Sequence, residues 1–196
     1  MIDLATGGYT TEAVQKALHA AYGSRRIYYR YDRLDTHKVT LGALYAEDGS
    51  IKLDYNADIM RTGRFTIRDD PAVNWQAELL RPWFGLIMPD GGRAEWPLGL
   101  FYMPTAPKTG SRHVYREIEA YDTTTILWDD QVTNRYQIPK GSKYTAALSA
   151  IFASVGVFDA IIEPSESVTQ TALEWEAGTA KGEIVQQLLT ADNYQP

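Results

Sequence analysis

Acidic side chains are the groups in this sequence best suited to chemistry. Three groups of neighbouring carboxylates stand out: Asp69 with Asp70, Asp129 with Asp130, and Glu174 with Glu176 on either side of Trp175. A glycoside hydrolase needs two facing carboxyl groups and an aromatic platform, so a glycan hydrolase is one hypothesis. Acidic residues also occupy turns and the wet faces of strands in any protein of this charge, and we favour that interpretation.

Other catalytic and metal-binding patterns are missing from the sequence. The histidines His19, His37 and His113 lie far apart, and none belongs to HExxH or another close metal-binding spacing. No GxSxG motif occurs, and the glycine pairs at 7–8 and 91–92 do not continue into a phosphate-binding loop. We therefore predict no catalytic, cofactor-binding or metal-binding residues, and we expect that the chain is not an enzyme.

Aromatic residues make up 12% of the sequence and allow two interpretations. The five tryptophans are spread along the chain, at Trp75, Trp83, Trp96, Trp128 and Trp175. Packing of these rings in the core of a β-sheet is the favoured interpretation. A carbohydrate-binding module would instead expose some of them as stacking platforms, and this remains the alternative function.

Composition limits the class of protein. The chain has 196 residues, 44% of them hydrophobic, which suffices for one domain or two small ones. Its net charge is -6 and its 19 Lys and Arg residues are scattered, so we expect no specific binding of nucleic acid. The absence of cysteine excludes disulfides and thiolate metal sites. No export signal or membrane-length apolar stretch is visible, so we expect a soluble chain.

The first two thirds of the chain carry one helical pattern and then a β pattern. Residues 10–23 predict an amphipathic helix behind a threonine cap, either packed on its own sheet or docked on a partner. Between residues 25 and 122 apolar side chains alternate, as in Ile27, Tyr29 and Tyr31. Turn-forming residues at 47–50, 56–58 and 89–92 separate the predicted strands, which together suggest a barrel or a sandwich.

The last third of the chain predicts an α+β unit. Ser142 is placed to cap a helix whose apolar stripe runs from Tyr144 to Val155 and ends at Gly156. A short strand at 160–163, an alternating stretch at 168–175 and a second helix at 180–191 follow. We predict a mostly β fold with three parts: an N-terminal arm (1–24), a β-barrel-like domain (25–125) and a smaller α+β domain (126–196).

Several sequence segments, in this order, resemble one family of phage proteins. They are residues 54–67 (DYNADIMRTGRFTI), 81–83 (RPW), 88–92 (MPDGG), 95–101 (EWPLGLF), 119–122 (EAYD), 126–130 (ILWDD), 138–144 (IPKGSKY), 175–179 (WEAGT), 188–189 and 193–194. This pattern resembles the N-terminal domains of siphophage tail hub proteins, also called baseplate hub, tail-associated or minor tail proteins. These are similar to the central baseplate hub of contractile-tail phages.

The resemblance implies a structural role at the tip of a virion tail. Such hubs are homotrimers whose tandem, tail-tube-like barrel domains form a ring of pseudo-sixfold symmetry, which closes or continues the tail tube. The implied partners are further copies of the chain, the distal tail protein, the tail tube protein and the tape measure protein, with DNA only in passage and assembly in the host cytoplasm. The family usually continues beyond the point where this sequence stops, so we expect a fragment or a short member.

Overall fold

The protein consists of two compact units, here described from a computed structural model. The described residues are 3–20, 25–54, 57–109, 115–157 and 160–192. The first unit contains Met1–Leu53 and Arg61–Asp122, and the second contains Asp54–Met60 and Thr123–Pro196. The first is mostly β and the second mixes helices with a small sheet, so the predicted fold class, mostly β with an α+β part, is confirmed. No helix among the described residues is long and apolar enough to cross a bilayer.

One antiparallel sheet of nine strands forms most of the first unit. Its strands are β1 (Arg26–Leu34), β2 (Thr40–Leu44), β3 (Ala46–Leu53), β4 (Arg61–Arg68), β5 (Leu79–Ile87), β6 (Arg93–Pro97), β7 (Phe101–Thr105), β8 (Lys108–Thr109) and β9 (Tyr115–Asp122). The strand order is β2-β1-β5-β7-β9-β4-β3, with β6 beside β5 and β8 beside β9. The alternating pattern therefore predicted strands correctly through this region.

The sheet curls around an aromatic core but does not close. Tyr31 on β1 meets Phe65 on β4 edge-on at 5.8 Å between ring centroids, although three strands separate β1 from β4 in the sheet. A closed barrel does not form, because β2 and β3 remain as two edges that do not pair with each other in the described residues. Tyr45 alone joins these strands. A tight hairpin needs a loop of about two residues, so one residue is too short to let β2 and β3 pair as a hairpin. The chain instead passes from the edge formed by β2 to the edge formed by β3.

Helix α1 (Thr11–Leu18) packs on the sheet of its own unit. Thr10 caps it, because the Thr10 hydroxyl accepts a hydrogen bond from the Ala13 N–H at 3.3 Å. Val14 and Ala17 are buried in a small cluster with Leu86, Met88 and Ala94 of the sheet region. The helix is thus packed on its own sheet, one of the two arrangements that the sequence left open. Residues 21–23 of the predicted span lie outside the described residues.

The second unit is built on two longer helices. Its elements are α2 (Thr125–Asp129), β10 (Tyr136–Ile138), α3 (Tyr144–Ser154), β11 (Leu173–Trp175) and α4 (Lys181–Ala191), and β10 pairs antiparallel with β11. The predicted apolar stripes are confirmed, since Leu148 and Ile151 of α3 and Ile184 and Leu188 of α4 are buried in one core. Residues 54–60 belong here, where the Trp128 indole N–H donates to the Asp58 carbonyl oxygen at 2.8 Å.

Three local predictions are wrong, and the first concerns a turn. Residues 47–50 lie inside strand β3 instead of forming a turn. Gly49 suggested a positive φ, but it stands opposite Phe65 in the sheet. A Cβ atom at Gly49 would lie 2.8 Å from the Tyr31 hydroxyl oxygen and 2.9 Å from the Phe65 ring. Glycine is used here to let aromatic rings approach the backbone.

The other two wrong predictions lie in the second unit. Ser142 does not cap α3, because the cap position falls on Lys143 and no side chain caps the helix. Instead, the Ser142 backbone exchanges hydrogen bonds with Thr169, including one from the Ser142 N–H to the Thr169 hydroxyl oxygen at 3.2 Å. Residues 160–163 form no strand. Pro164 follows them, cannot donate to a ladder and restricts the residue before it.

Candidate interaction surface

Ion pairs hold most of the carboxylates that suggested acid–base chemistry. Asp69 accepts a hydrogen bond from the Arg116 side chain and lies 3.1 Å from the Lys108 ammonium nitrogen. The hydrogen bond from Arg116 lowers the pKa of Asp69. In the second unit, Asp130 pairs with Lys181 at 2.7 Å, and this hydrogen bond lowers the pKa of Asp130. A general acid at neutral pH needs a raised pKa, so neither carboxylate fits that role.

The remaining carboxylates have structural contacts or lie at the surface. Glu174 pairs with Arg135 and also accepts a hydrogen bond from the Gln137 amide at 2.8 Å. Asp70 accepts a hydrogen bond from the Ala72 N–H in a turn. Asp129 and Glu176 are exposed. Among the described residues, no group of side chains is arranged to hold a metal ion.

Tryptophan rings pack inside the protein. Trp75 and Trp175 are buried, and Trp83, Trp96 and Trp128 are half-buried. The core-packing interpretation therefore holds for the two buried rings. A flat stacking platform would need a freely exposed ring, which none of the five provides. His19 and His37 are exposed, and His113 lies outside the described residues.

A charged and aromatic network covers one face of strands β1, β5 and β6. The Arg30 guanidinium pairs with Asp32 and with Glu95, the latter at 3.2 Å, and stacks over the Trp83 ring at 4.8 Å. The Trp83 indole N–H donates to Asp32 at 2.9 Å. Tyr28 donates its hydroxyl hydrogen to Glu95 at 2.8 Å. Neighbouring β-strand pairing brings these groups together from distant positions in the sequence.

The same network shifts the pKa of three of its members. The hydrogen bond from Arg30 lowers the pKa of Glu95, and that from Tyr28 adds to the effect. Burial raises the pKa of Tyr28, and its hydrogen bond to Glu95 raises it further. Burial opposes the charge of Arg30, yet its bonds to Glu95 and Asp32 outweigh this and raise the pKa of Arg30. Each of these three shifts moves the pKa of its group further from neutral pH.

We expect replacement of Glu95 by Gln to destabilise the protein by about 1 kcal/mol at pH 7, because a charge-assisted contact to Arg30 is lost. Since the pKa of Glu95 is lowered on folding, its contribution is complete above about pH 4.3 and is lost as pH falls through the lowered value. Urea unfolding at pH 7 and pH 3 measures this. The variant should lose less stability on acidification than the natural chain, whereas the exposed-site control Glu47→Gln should respond like the natural chain.

Exposed apolar side chains are concentrated between residues 27 and 53. We call this set the apolar band: Ile27, Tyr29, Val39, Leu41, Tyr45 and Leu53, each 45–67% exposed. Its residues lie on β1, on and beside the edge strand β2, and at the C-terminal end of β3. Strand β2 pairs only with the second half of β1, so in the described residues the first half of β1 lacks a neighbour on that side. Exposed apolar groups at a sheet edge are typical of association surfaces.

The first unit is thus a curled antiparallel sheet and the second a small α+β unit, and solved structures with a similar fold exist. No protein-family model matches the sequence, and no curated protein matches it. Among solved structures, the crystal structure of the tail protein from Neisseria meningitidis MC58 is similar, with a TM-score of 0.59 and 13% sequence identity. The match covers 83% of this chain and 45% of that chain. At this identity the similarity establishes the fold, and the chain spans less than half the length of that protein.

Proposed function

We propose that this chain is a structural component of a phage or phage-derived tail, in which three copies form a hub that closes or continues the tail tube. The observation that carries the proposal is the fold shared with a tail protein over 83% of the chain. The order of sequence segments that resemble siphophage tail hubs supports it independently. The function is geometric, because a closed cyclic assembly offers a symmetric surface to the tube without making or breaking a bond.

The chemistry of the surface supports an assembling protein over an enzyme. The candidate acids Asp69 and Asp130 are held as carboxylates by cations. The apolar band, by contrast, leaves six large side chains exposed on β1 and along the two edge strands β2 and β3. Burial of apolar area is the main driving force of protein association. We propose the band as part of the contact between copies, at the virion tail tip after assembly in the host cytoplasm.

Partners follow from the proposed position in the tail. A hub contacts the tail tube protein on one side, the distal tail protein around it and the tape measure protein, and lets DNA pass. The net charge of -6 fits such passage, because a basic lining would bind phosphates in a salt-dependent way. No specific nucleic-acid site is proposed.

Light scattering of the purified chain over a range of concentrations tests the proposal. We expect a mass of three times the 22.0 kDa chain, or recruitment into such an assembly when the tail tube protein is added. Val39→Asp, in the apolar band, should shift the mass toward the monomer, whereas Thr145→Asp, on a helix of the second unit, should not. The hub would be contradicted if the chain stayed monomeric at all concentrations and did not bind tail proteins. Binding of polysaccharide by such a monomer would support a carbohydrate-binding module.

A further inference from the structure

An apolar groove opens on the inner side of the curled sheet in the first unit. It has a volume of about 470 Å³, within the range of ligand-sized pockets. Tyr29 and Tyr31 of β1 line it together with Leu53 of β3 and Pro97 of β6. Phe65 forms its floor and is 3% exposed. Tyr29 and Leu53 are also members of the apolar band, so the groove lies within the exposed apolar region.

Arg61 contributes a positive charge to the lining of this groove. Arg61 is exposed at the start of β4, and no carboxylate pairs with its guanidinium among the described residues. Its side chain passes Gly99, where an added Cβ atom would lie 3.3 Å from a guanidinium nitrogen. Arg64 on the same strand, by contrast, pairs with Glu119 at 3.3 Å. An unpaired arginine beside apolar walls matches a ligand that joins an apolar side chain to a carboxylate.

The second unit carries a segment with this chemistry. Residues 160–167 have no regular secondary structure, and Ile161 is 97% exposed, more than any other large apolar residue of the described chain. Glu163 and Glu166 add negative charge close to it. Pro164 favours an extended backbone before it, the shape that fits a groove. The Glu166 contact to Lys143 is an exposed pair, of the kind that contributes little and is readily exchanged.

We propose that residues 160–167 of one copy bind in the groove of a second copy, with Ile161 against Tyr29 and Leu53 and an acidic side chain facing Arg61. The contact joins two different surfaces, so it is heterologous and propagates head to tail into a ring or an open chain. It rests on the proposed function, because it specifies one contact through which copies assemble. Burial of Ile161 removes an exposed apolar side chain from water and supplies the driving force.

Binding of a synthetic peptide tests the contact directly. A labelled peptide of residues 160–167 is titrated with the full chain and followed by fluorescence anisotropy. We expect saturable binding that Ile161→Ser in the peptide weakens by at least about tenfold, because the anchoring side chain is lost. Ile162→Ser is the matched control and should change affinity by less than about threefold. In the protein, Arg61→Glu should abolish the binding and Arg64→Glu should preserve it.

Mixing of full-length variants tests the head-to-tail arrangement. Chains with Arg61→Glu keep the segment and lose the groove, whereas chains with Ile161→Ser keep the groove and lose the segment. Each variant alone should associate less than the natural chain in light scattering. A mixture should form a one-to-one complex through the single intact contact, which no symmetric interface would produce.

The outcomes separate this contact from the hub proposal. Equal binding of the natural and Ile161→Ser peptides, or no binding of either, overturns the contact. If the chain is nevertheless trimeric, the hub proposal stands and the copies meet elsewhere. Binding of the peptide to a chain that stays monomeric at all concentrations would show that the groove accepts the segment but that copies do not assemble through it, which overturns the contact between copies.

Discussion

Replacement of Phe101 by Ala is expected to destabilise the first unit by about 3–5 kcal/mol, because it removes a large side chain from a fully packed position. Phe101 is 0% exposed and lies edge-on to Phe65 at 6.0 Å. It sits on β7, the strand that links β5 to β9 in the middle of the sheet. The cavity left by the ring would therefore open inside the buried cluster of the first unit. Urea unfolding followed by circular dichroism measures the free energy of unfolding.

A matched variant separates burial from aromatic character. Tyr45→Ala removes a ring that is 67% exposed, so it should change the free energy of unfolding by less than about 0.5 kcal/mol. A loss of less than about 1 kcal/mol in Phe101→Ala would show that the sheet does not wrap around this ring. Such a result would also weaken the groove, because Phe65 contacts Phe101 and forms the groove floor.

Local patterns in the sequence were sufficient for most of the secondary structure. Val14 and the apolar stripes of α3 and α4 follow the helical period, and their burial confirms the helices. The alternation in β1 likewise predicted a strand. These signals work because side-chain direction repeats every 3.6 residues in a helix and every two in a strand. They depend only on near neighbours in the chain.

Features that depend on distant residues could not be predicted in this way. Gly49 has the sequence context of a turn, and only its pairing with Phe65 from another strand explains its place in β3. Residues 54–60 belong to the second unit through a contact with Trp128, about 70 positions away. Nothing near these residues in the sequence signals either partner, because such contacts arise from topology and not from local propensity.

The candidate surface was harder to predict than the fold. The alternation in β1 puts Tyr28 and Arg30 on the face opposite to Tyr29, but Glu95 reaches them only through the pairing of β6 with β5. The exposure of Ile161 was missed, because residues 160–163 were predicted to form a short strand. An isoleucine followed by acidic residues and a proline is the signal that could have indicated an exposed docking segment.

Similarity of fold without a match of sequence is compatible with the proposed structural role. The tail protein from Neisseria meningitidis MC58 shares the fold at 13% identity. An enzyme must keep a few side chains at fixed distances, whereas a sheet needs only an apolar pattern and room for close contacts. Assembly adds the requirement that contacting surfaces change together. The proposed contact of Arg61 with the Ile161 segment is therefore an informative test of function.

Replacement of Gly182 by Val is expected to destabilise the second unit by about 1–3 kcal/mol, through overpacking against Trp128. A Cβ atom at Gly182 would lie 2.6 Å from the Trp128 indole ring. The ring cannot move away freely, because its N–H donates to the Asp58 carbonyl oxygen at 2.8 Å. The better helix propensity of Val offsets only a few tenths of a kcal/mol. The same steric conflict should release residues 54–60 from Trp128.

Hydrogen exchange and urea unfolding together measure this effect. Gly182→Val should lower the urea midpoint and shift the fluorescence of Trp128 toward that of a more hydrated ring. Gln186→Val places the same side chain on an exposed position of α4 and should stay within about 0.5 kcal/mol of the natural chain. If Gly182→Val were as stable as this control, Trp128 would not rest on α4. The assignment of residues 54–60 to the second unit would then lose its main contact, because Asp58 is held there through that ring.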